Sequence, residues 1–176
     1  MKKTQKAISL LLIASATLFG FSAAQADDHE EMTIAGIVDS TERFSILAFA
    51  LDAAGLTGIL DGKRQFTVFA PNDEAFAATA AALETDVDGL VNFVVTNGLL
   101  EEVLLYHVAP GERLAEDVVP AERIRTMNKS FVFKESGSAT LDAIGSVANI
   151  IEVDIDASNG VVHEIDFVLL PVVVGE

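Results

Sequence analysis

Apolar residues recur at helical spacing in the first half of the chain and alternate at strand spacing in the second. In "TIAGIVDSTERFSILAFALDAAGL", Phe44, Leu47, Ala48 and Leu51 fall at i, i+3, i+4 and i+7, which predicts a helix. Ser40 or Thr41 is the expected cap at its start, and Gly55 suits its end. After a turn at Asp61-Gly62, "QFTVFA" alternates Phe66, Val68 and Ala70 against Thr67 and Phe69, a strand with both faces covered, which Pro71 stops. Asn72 then supplies a capping amide, and Asp73 and Glu74 follow in the first turn, where the helix dipole favours negative charge. An alanine-rich run from Ala75 to Leu83 continues this helix. A further helical stretch runs from Leu90 to about Thr96 and breaks at Asn97-Gly98. "LLEEVLLYHV" resumes with Leu100, Val103 and Leu104 on one face, and Pro110-Gly111 ends the unit.

From Arg123 onward the pattern changes to short strands divided by turns: "RIRTM", "SFVFK", "ATLDAI", "ANIIEVDID" and "NGVVHEIDFVLLP". In the last of these, alternation puts His163 on one side with Val161, Ile165, Phe167 and Leu169. Glu164 and Asp166 point the other way with Val162, Val168 and Leu170. Helices followed by a meander predict an α+β domain with a sheet packed under helices. No internal repeat and no linker divides the chain.

Composition changes this picture at the N-terminus. "MKKTQKAISLLLIASATLFGFSAAQA" joins three lysines to an apolar stretch and a small-x-small ending, the pattern of a secretory signal peptide cleaved after Ala26. Its apolar part is shorter than the roughly 20 residues of a bilayer span, so no retained membrane anchor is expected. The expected organisation is a signal peptide at 1–26, an acidic leader at 27–32, one domain at 33–172 and a short tail at 173–176. The whole chain carries a formal charge of −16; losing Lys2, Lys3 and Lys6 with the leader peptide leaves a still more acidic product. Such a field repels phosphate backbones, which argues against nucleic acid as a partner. With no cysteine there are no disulfides, so an exported domain must rest on its apolar core.

Three phrases, "FTVFAPNDEAF", "LLYHVAPG" and "NGVVHEIDFVLLP", taken in order and at this separation, resemble the fasciclin domain family over about residues 33–172. That resemblance implies a wedge-shaped β-sandwich with helices packed at one side, in proteins that mediate adhesion and matrix or partner binding. Two departures stand out: Asn72 where the family often has threonine, and Glu164 where an apolar residue is common.

The candidate chemistry is sparse. Tyr106 and His107 match a tyrosine-histidine pair that the family links to structural integrity and adhesion, and their apolar neighbours Leu104, Leu105 and Val108 favour a core role. His163, in its apolar run, reads the same way. There is no Gly-x-Ser-x-Gly elbow, no Gly-rich phosphate loop and no His-Glu-x-x-His pair, so neither an enzyme nor a cofactor is expected. In "IIEVDIDASNG", strand alternation puts Glu152, Asp154 and Asp156 on one face and Ile151, Val153 and Ile155 on the other. The acidic row is either a solvated face or part of a loose Ca²⁺ site, which needs more oxygens than this run supplies. Glu152, Asp154 and Ile155 also partly match an acidic recognition motif of some animal fasciclin domains, which makes them a candidate contact edge. Cleavage after Ala26 would expose Asp27-Asp28-His29, whose amine, amides and imidazole suit square-planar Cu(II) or Ni(II).

The reading is a non-enzymatic module, exported to the periplasm or beyond, binding a cell-surface protein or glycan or another copy of itself. The alternative is a periplasmic carrier that holds a small apolar ligand, such as a lipid, between helices and sheet.

Overall fold

Thr33 accepts a hydrogen bond from the Gly36 amide and starts α1 (Ile34–Ser40). The computed structural model describes residues 32–133 and 137–172, so the expected signal peptide, most of the leader and the tail lie outside the described residues. A 3₁₀ turn at Glu42–Phe44 leads into α2 (Ser45–Ala53), and α3 (Thr57–Leu60) follows. Gly55 ends α2 as expected: its φ of 68° is left-handed, and the Leu56 amide reaches back to the Leu51 carbonyl.

The start of α2 differs from expectation. Neither Ser40 nor Thr41 caps it, because both hydroxyls donate backward to the Ile37 carbonyl. Its cap comes instead from Asp73, whose carboxylate accepts from the Ile46 amide at 3.0 Å and the Ser45 hydroxyl at 2.7 Å. A distant acid thus satisfies an amide that a local residue was expected to satisfy.

β1 (Phe66–Pro71) runs directly into α4 (Asp73–Ala82), which Asn72 caps through the Ala75 amide as expected. α5 (Val87–Thr96) and α6 (Leu100–Tyr106) complete the helical layer, divided at Gly98. β2 (Val108–Pro110), α7 (Ala115–Val118), β3 (Arg123–Arg125), β4 (Phe131–Phe133), β5 (Thr140–Asp142), β6 (Val147–Ala157) and β7 (Gly160–Ile165) follow.

The seven strands pair in the order β2-β1-β7-β6-β5-β4-β3. β1 and β7 are parallel, with Phe66 opposite Gly160 and Phe69 opposite His163; the other pairs are antiparallel. The two ends of this order approach each other, since the Met127 amide beyond β3 donates to the Val108 carbonyl of β2 at 2.7 Å. β1, β2, β6 and β7 form one arm, and β3, β4, β5 and the start of β6 the other.

Two apolar clusters define the layers. Between helices and the first arm lie Phe44, Leu47, Phe76, Leu90 and Leu104 with Phe66, Val68 and Val162 from the strands. Between the two arms lie Phe69, Ala109, Ile124, Val132, Leu141, Ala148, Ile150 and Ile165, with Tyr106 closing the cluster. The alternation in β1 is thereby explained: Phe66, Val68 and Ala70 face the helices and Phe69 faces the other arm. This is the sandwich with helices on one side that the resemblance implied. Gly160 is required where β7 starts beside β1, because a Cβ there would run into the Phe66 carbonyl and its φ of 139° disfavours any side chain.

Candidate functional site

Tyr106 and His107 sit at the end of α6 and point into different layers. Tyr106 is fully buried between the arms, and its hydroxyl donates to the Phe131 carbonyl at 2.8 Å. That bond fastens the helical unit to β4. Burial raises the phenol's pKa. His107 faces the helix layer. Its Nδ1–H donates to the Val103 carbonyl at 2.7 Å, and its Nε2 accepts from the Leu169 amide at 2.9 Å. Both ring nitrogens are therefore used on backbone groups, which requires a neutral ring. Burial lowers its pKa to about 4, only partly opposed by the bond to Val103.

His163 is equally committed. It is buried in β7, stacked on Phe69 with ring centroids 5.7 Å apart. Its Nδ1 accepts from the Asp154 amide at 3.2 Å, and its Nε2–H donates to the Arg113 carbonyl at 2.9 Å. Burial pushes its pKa down, against the Arg113 carbonyl and the Asp154 carboxylate, which raise it. A ring that bridges β6 to the 111–114 segment through both nitrogens has no lone pair left for a metal or a substrate proton.

Glu164, on the opposite face of β7, is only 4% exposed. The helix layer does cover that face, and the acid is satisfied there. Asn72 donates to one carboxylate oxygen at 2.7 Å, and the Arg43 Nε lies 2.8 Å from the other. Arg43 also reaches Glu152 on β6 at 2.7 Å. Sequence reasoning did not find this network, since Asn72 and Glu164 lie 92 positions apart and neither carries a local signal of the other. The same holds for Thr79, whose hydroxyl accepts from the Val168 amide across 89 positions.

β6 departs from the expected alternation. Its register against β7 shifts between Ile150 and Glu152 and again between Glu152 and Ile155, and Asp154 takes a left-handed φ of 57°. Each shift rotates the strand, so Glu152, Asp154 and Asp156 do not form a row. Glu152 turns toward Arg43, and Asp154 accepts from the Ala115 amide at 2.7 Å, capping α7 from outside. Ile151 and Val153, expected to share a face with Ile155, are 53% and 44% exposed, while Ile155 is half-buried against the helix-side cluster. The structure thus leaves Glu152, Asp154 and Ile155 close together along one bulged segment but facing different ways. Among the described residues no three His, Asp or Glu side chains gather as a metal site. Asp27, Asp28 and His29, the expected Cu(II) or Ni(II) site, lie outside the described residues.

A cavity of about 30 Å³ lies between α2, α4, α5, α6 and the 168–170 segment, lined by Leu47, Phe76, Leu90, Val94, Leu104 and the edge of His107. It is apolar and about a fifth of the size of a cavity that takes up benzene, roughly 150 Å³.

Comparisons with known proteins agree with this architecture. A model of the fasciclin domain matches residues 42–171. Protein sll1483 of Synechocystis is 37% identical over 149 residues, covering 84% of this chain and 78% of its own length. Human stabilin-1 is also 37% identical, over 145 residues, but the match spans only 5% of that much longer protein. Human periostin is 27% identical over 132 residues, 15% of its length. Among solved structures, a FAS1 domain pair from the insect cell adhesion molecule fasciclin I superposes with a TM-score of 0.64 at 21% identity, covering 79% of this chain and 51% of that one. At that identity the structural likeness speaks for the fold alone.

Proposed function

Because the chain belongs to the fasciclin domain family, we propose that it acts outside the cytoplasm as a non-enzymatic binding module, attaching to a cell-surface or matrix partner. One observation carries this reading. Tyr106, His107 and His163, the residues with the most chemical promise, spend their polar atoms on backbone partners inside the fold, whereas the bulged β6 segment turns apolar side chains outward. Exposed Ile151 and Val153, flanked by Glu152 and Asp154, form a contact edge of mixed apolar and acidic character. Insect fasciclin I, a cell adhesion molecule, has domains of this fold, and the contact edge is where adhesion would be exercised here.

The carrier reading lacks a comparable observation, because the apolar space between helices and sheet would have to grow several-fold to hold even a small hydrocarbon. The test is adhesion of cells to surfaces coated with the domain. Ile151→Ser with Val153→Ser should reduce attachment while leaving circular dichroism and the unfolding midpoint unchanged, and His107→Gln should change stability instead. Full attachment by the serine variant would remove the β6 edge from consideration; substrate turnover lost in a still-folded His163→Gln variant would remove the non-enzymatic reading.

A further inference from the structure

Basic residues are scarce in this chain, eleven in all, yet Arg123, Arg125, Lys129 and Lys134 fall within residues 123–134, a stretch with no acid. Among the described residues of this stretch, Arg123, Arg125 and Lys129 are exposed. Arg123 and Arg125 are exposed on either side of buried Ile124. In register they stand opposite Phe133 and Phe131. Phe133 is 51% exposed, and Asp142 separates it from exposed Val147 on β6. The Arg123 guanidinium lies 5.1 Å from the Phe131 ring centroid, within cation–π range. The outer surface of the second arm therefore carries two arginines and two aromatic rings on an otherwise acidic molecule, with Asp142 as the one acid in the row from Phe133 to Val147.

The helical side has the opposite character. Phe49 of α2 is 64% exposed and stands between two grooves. One, of about 270 Å³, is floored by Val38, Ala48 and Leu51, with Asp39 and Asp52 at its rim. The other, of about 430 Å³, is floored by Ile46, Val87 and Val91, with Asp88 at its rim. Neither groove is lined by a lysine or arginine. The layer order, helices, first arm, second arm, places this face and the basic sheet face on opposite sides of the domain.

Each face alone would suit many partners. Both on one chain identify the occupant: we infer that the basic sheet face of one copy docks on the acidic, Phe49-centred helical face of the next. Phe133 and Val147 then meet the grooves beside Phe49, and Arg123 and Arg125 meet Asp39 and Asp52. Two different patches make the contact, so it is head-to-tail, and because they lie on opposite sides of the domain, repetition builds open chains. The net charge of −16 opposes assembly at long range and keeps each contact weak. This contact is separate from the β6 edge at Ile151 and Val153 and does not depend on it.

Sedimentation velocity of the purified protein from about 10 μM to about 1 mM tests the inference, a range matched to weak contacts. The wild type should sediment faster as concentration rises. Arg123→Glu with Arg125→Glu, and separately Asp39→Lys with Asp52→Lys, should each weaken association about tenfold or more while leaving circular dichroism unchanged, since all four side chains are exposed. An equal mixture of the two variants should associate again, because each reversed face then meets a matching reversed face. A wild type that stays monomeric throughout, association that survives either pair of substitutions, or no recovery on mixing would overturn it. So would an anionic glycan bound by the sheet face of a protein that remains monomeric. Loss of cell attachment without any change in sedimentation would bear on the β6 edge alone.

Discussion

Between pH 7 and pH 4 the unfolded chain takes up a proton at His107 that the folded protein refuses. The imidazole's pKa falls from 6.5 when free to about 4 in the fold, because the site is buried and the ring must accept a hydrogen bond from the Leu169 amide. A depressed histidine contributes its full stability above the unfolded value, near pH 6.5, and loses it as pH falls toward 4, since over that window the unfolded state binds more protons. The shift corresponds to about 3 kcal/mol, lost with a slope of at most about 1.4 kcal/mol per pH unit. Urea unfolding of the wild type and of His107→Gln, followed by circular dichroism at half-unit steps of pH, isolates this share, because the two proteins differ in that side chain alone. At pH 7 the variant should be less stable by about 1–3 kcal/mol, the cost of leaving the Val103 carbonyl or the Leu169 amide without its partner. The gap should shrink by about 3 kcal/mol by pH 4, closing or reversing sign, and the variant's own curve should be flatter. A gap that stays constant within about 0.5 kcal/mol from pH 7 to pH 4 would show that His107 is not held neutral and that the assigned hydrogen bonds are wrong.

Three further outcomes follow from the packing. Asp73→Ala should cost about 1 kcal/mol by removing the cap of α2, and Thr41→Ala should cost measurably less, since its hydroxyl does not cap that helix; urea midpoints compare the two. Gly160→Ala should cost more than about 3 kcal/mol, because the new methyl meets the Phe66 carbonyl at a left-handed φ, and a cooperative melt close to that of the wild type would contradict the strand register. Phe76→Ala should cost about 3–5 kcal/mol and enlarge the cavity beside His107, so benzene should raise the variant's melting temperature and leave the wild type's unchanged.

The legible part of the fold was whatever chain-local chemistry decides. Asn72 caps α4, Gly55 ends α2, and the two faces of the segment from Val161 to Leu170 are filled as alternation requires. What escaped depends on partners far along the chain. Asp73 looked like a first-turn acid of α4 and is also the cap of α2, 27 positions away from Ile46. Glu164 looked like a gap in the apolar cover and is an anchor for Arg43 and Asn72. The alternation of β6 failed for another reason: a bulge adds residues to one strand without changing their type, so a period of two persists in the letters after it has been lost in space. Tyr106, His107 and His163 could be read as core residues, but their carbonyl and amide partners could not be named before the layers were assembled.

The parallel pairing of β1 with β7 also fixes an order of events. β7 lies in the middle of the first arm, yet it is made nearly a hundred residues after its neighbour β1, which must wait with one edge bare until residues 160–165 emerge. Its closure joins distant parts of the chain, so folding is slow to begin and late to finish. The first arm therefore cannot close until residues 160–165 are made, and a chain ended before them would leave β1 without its parallel partner.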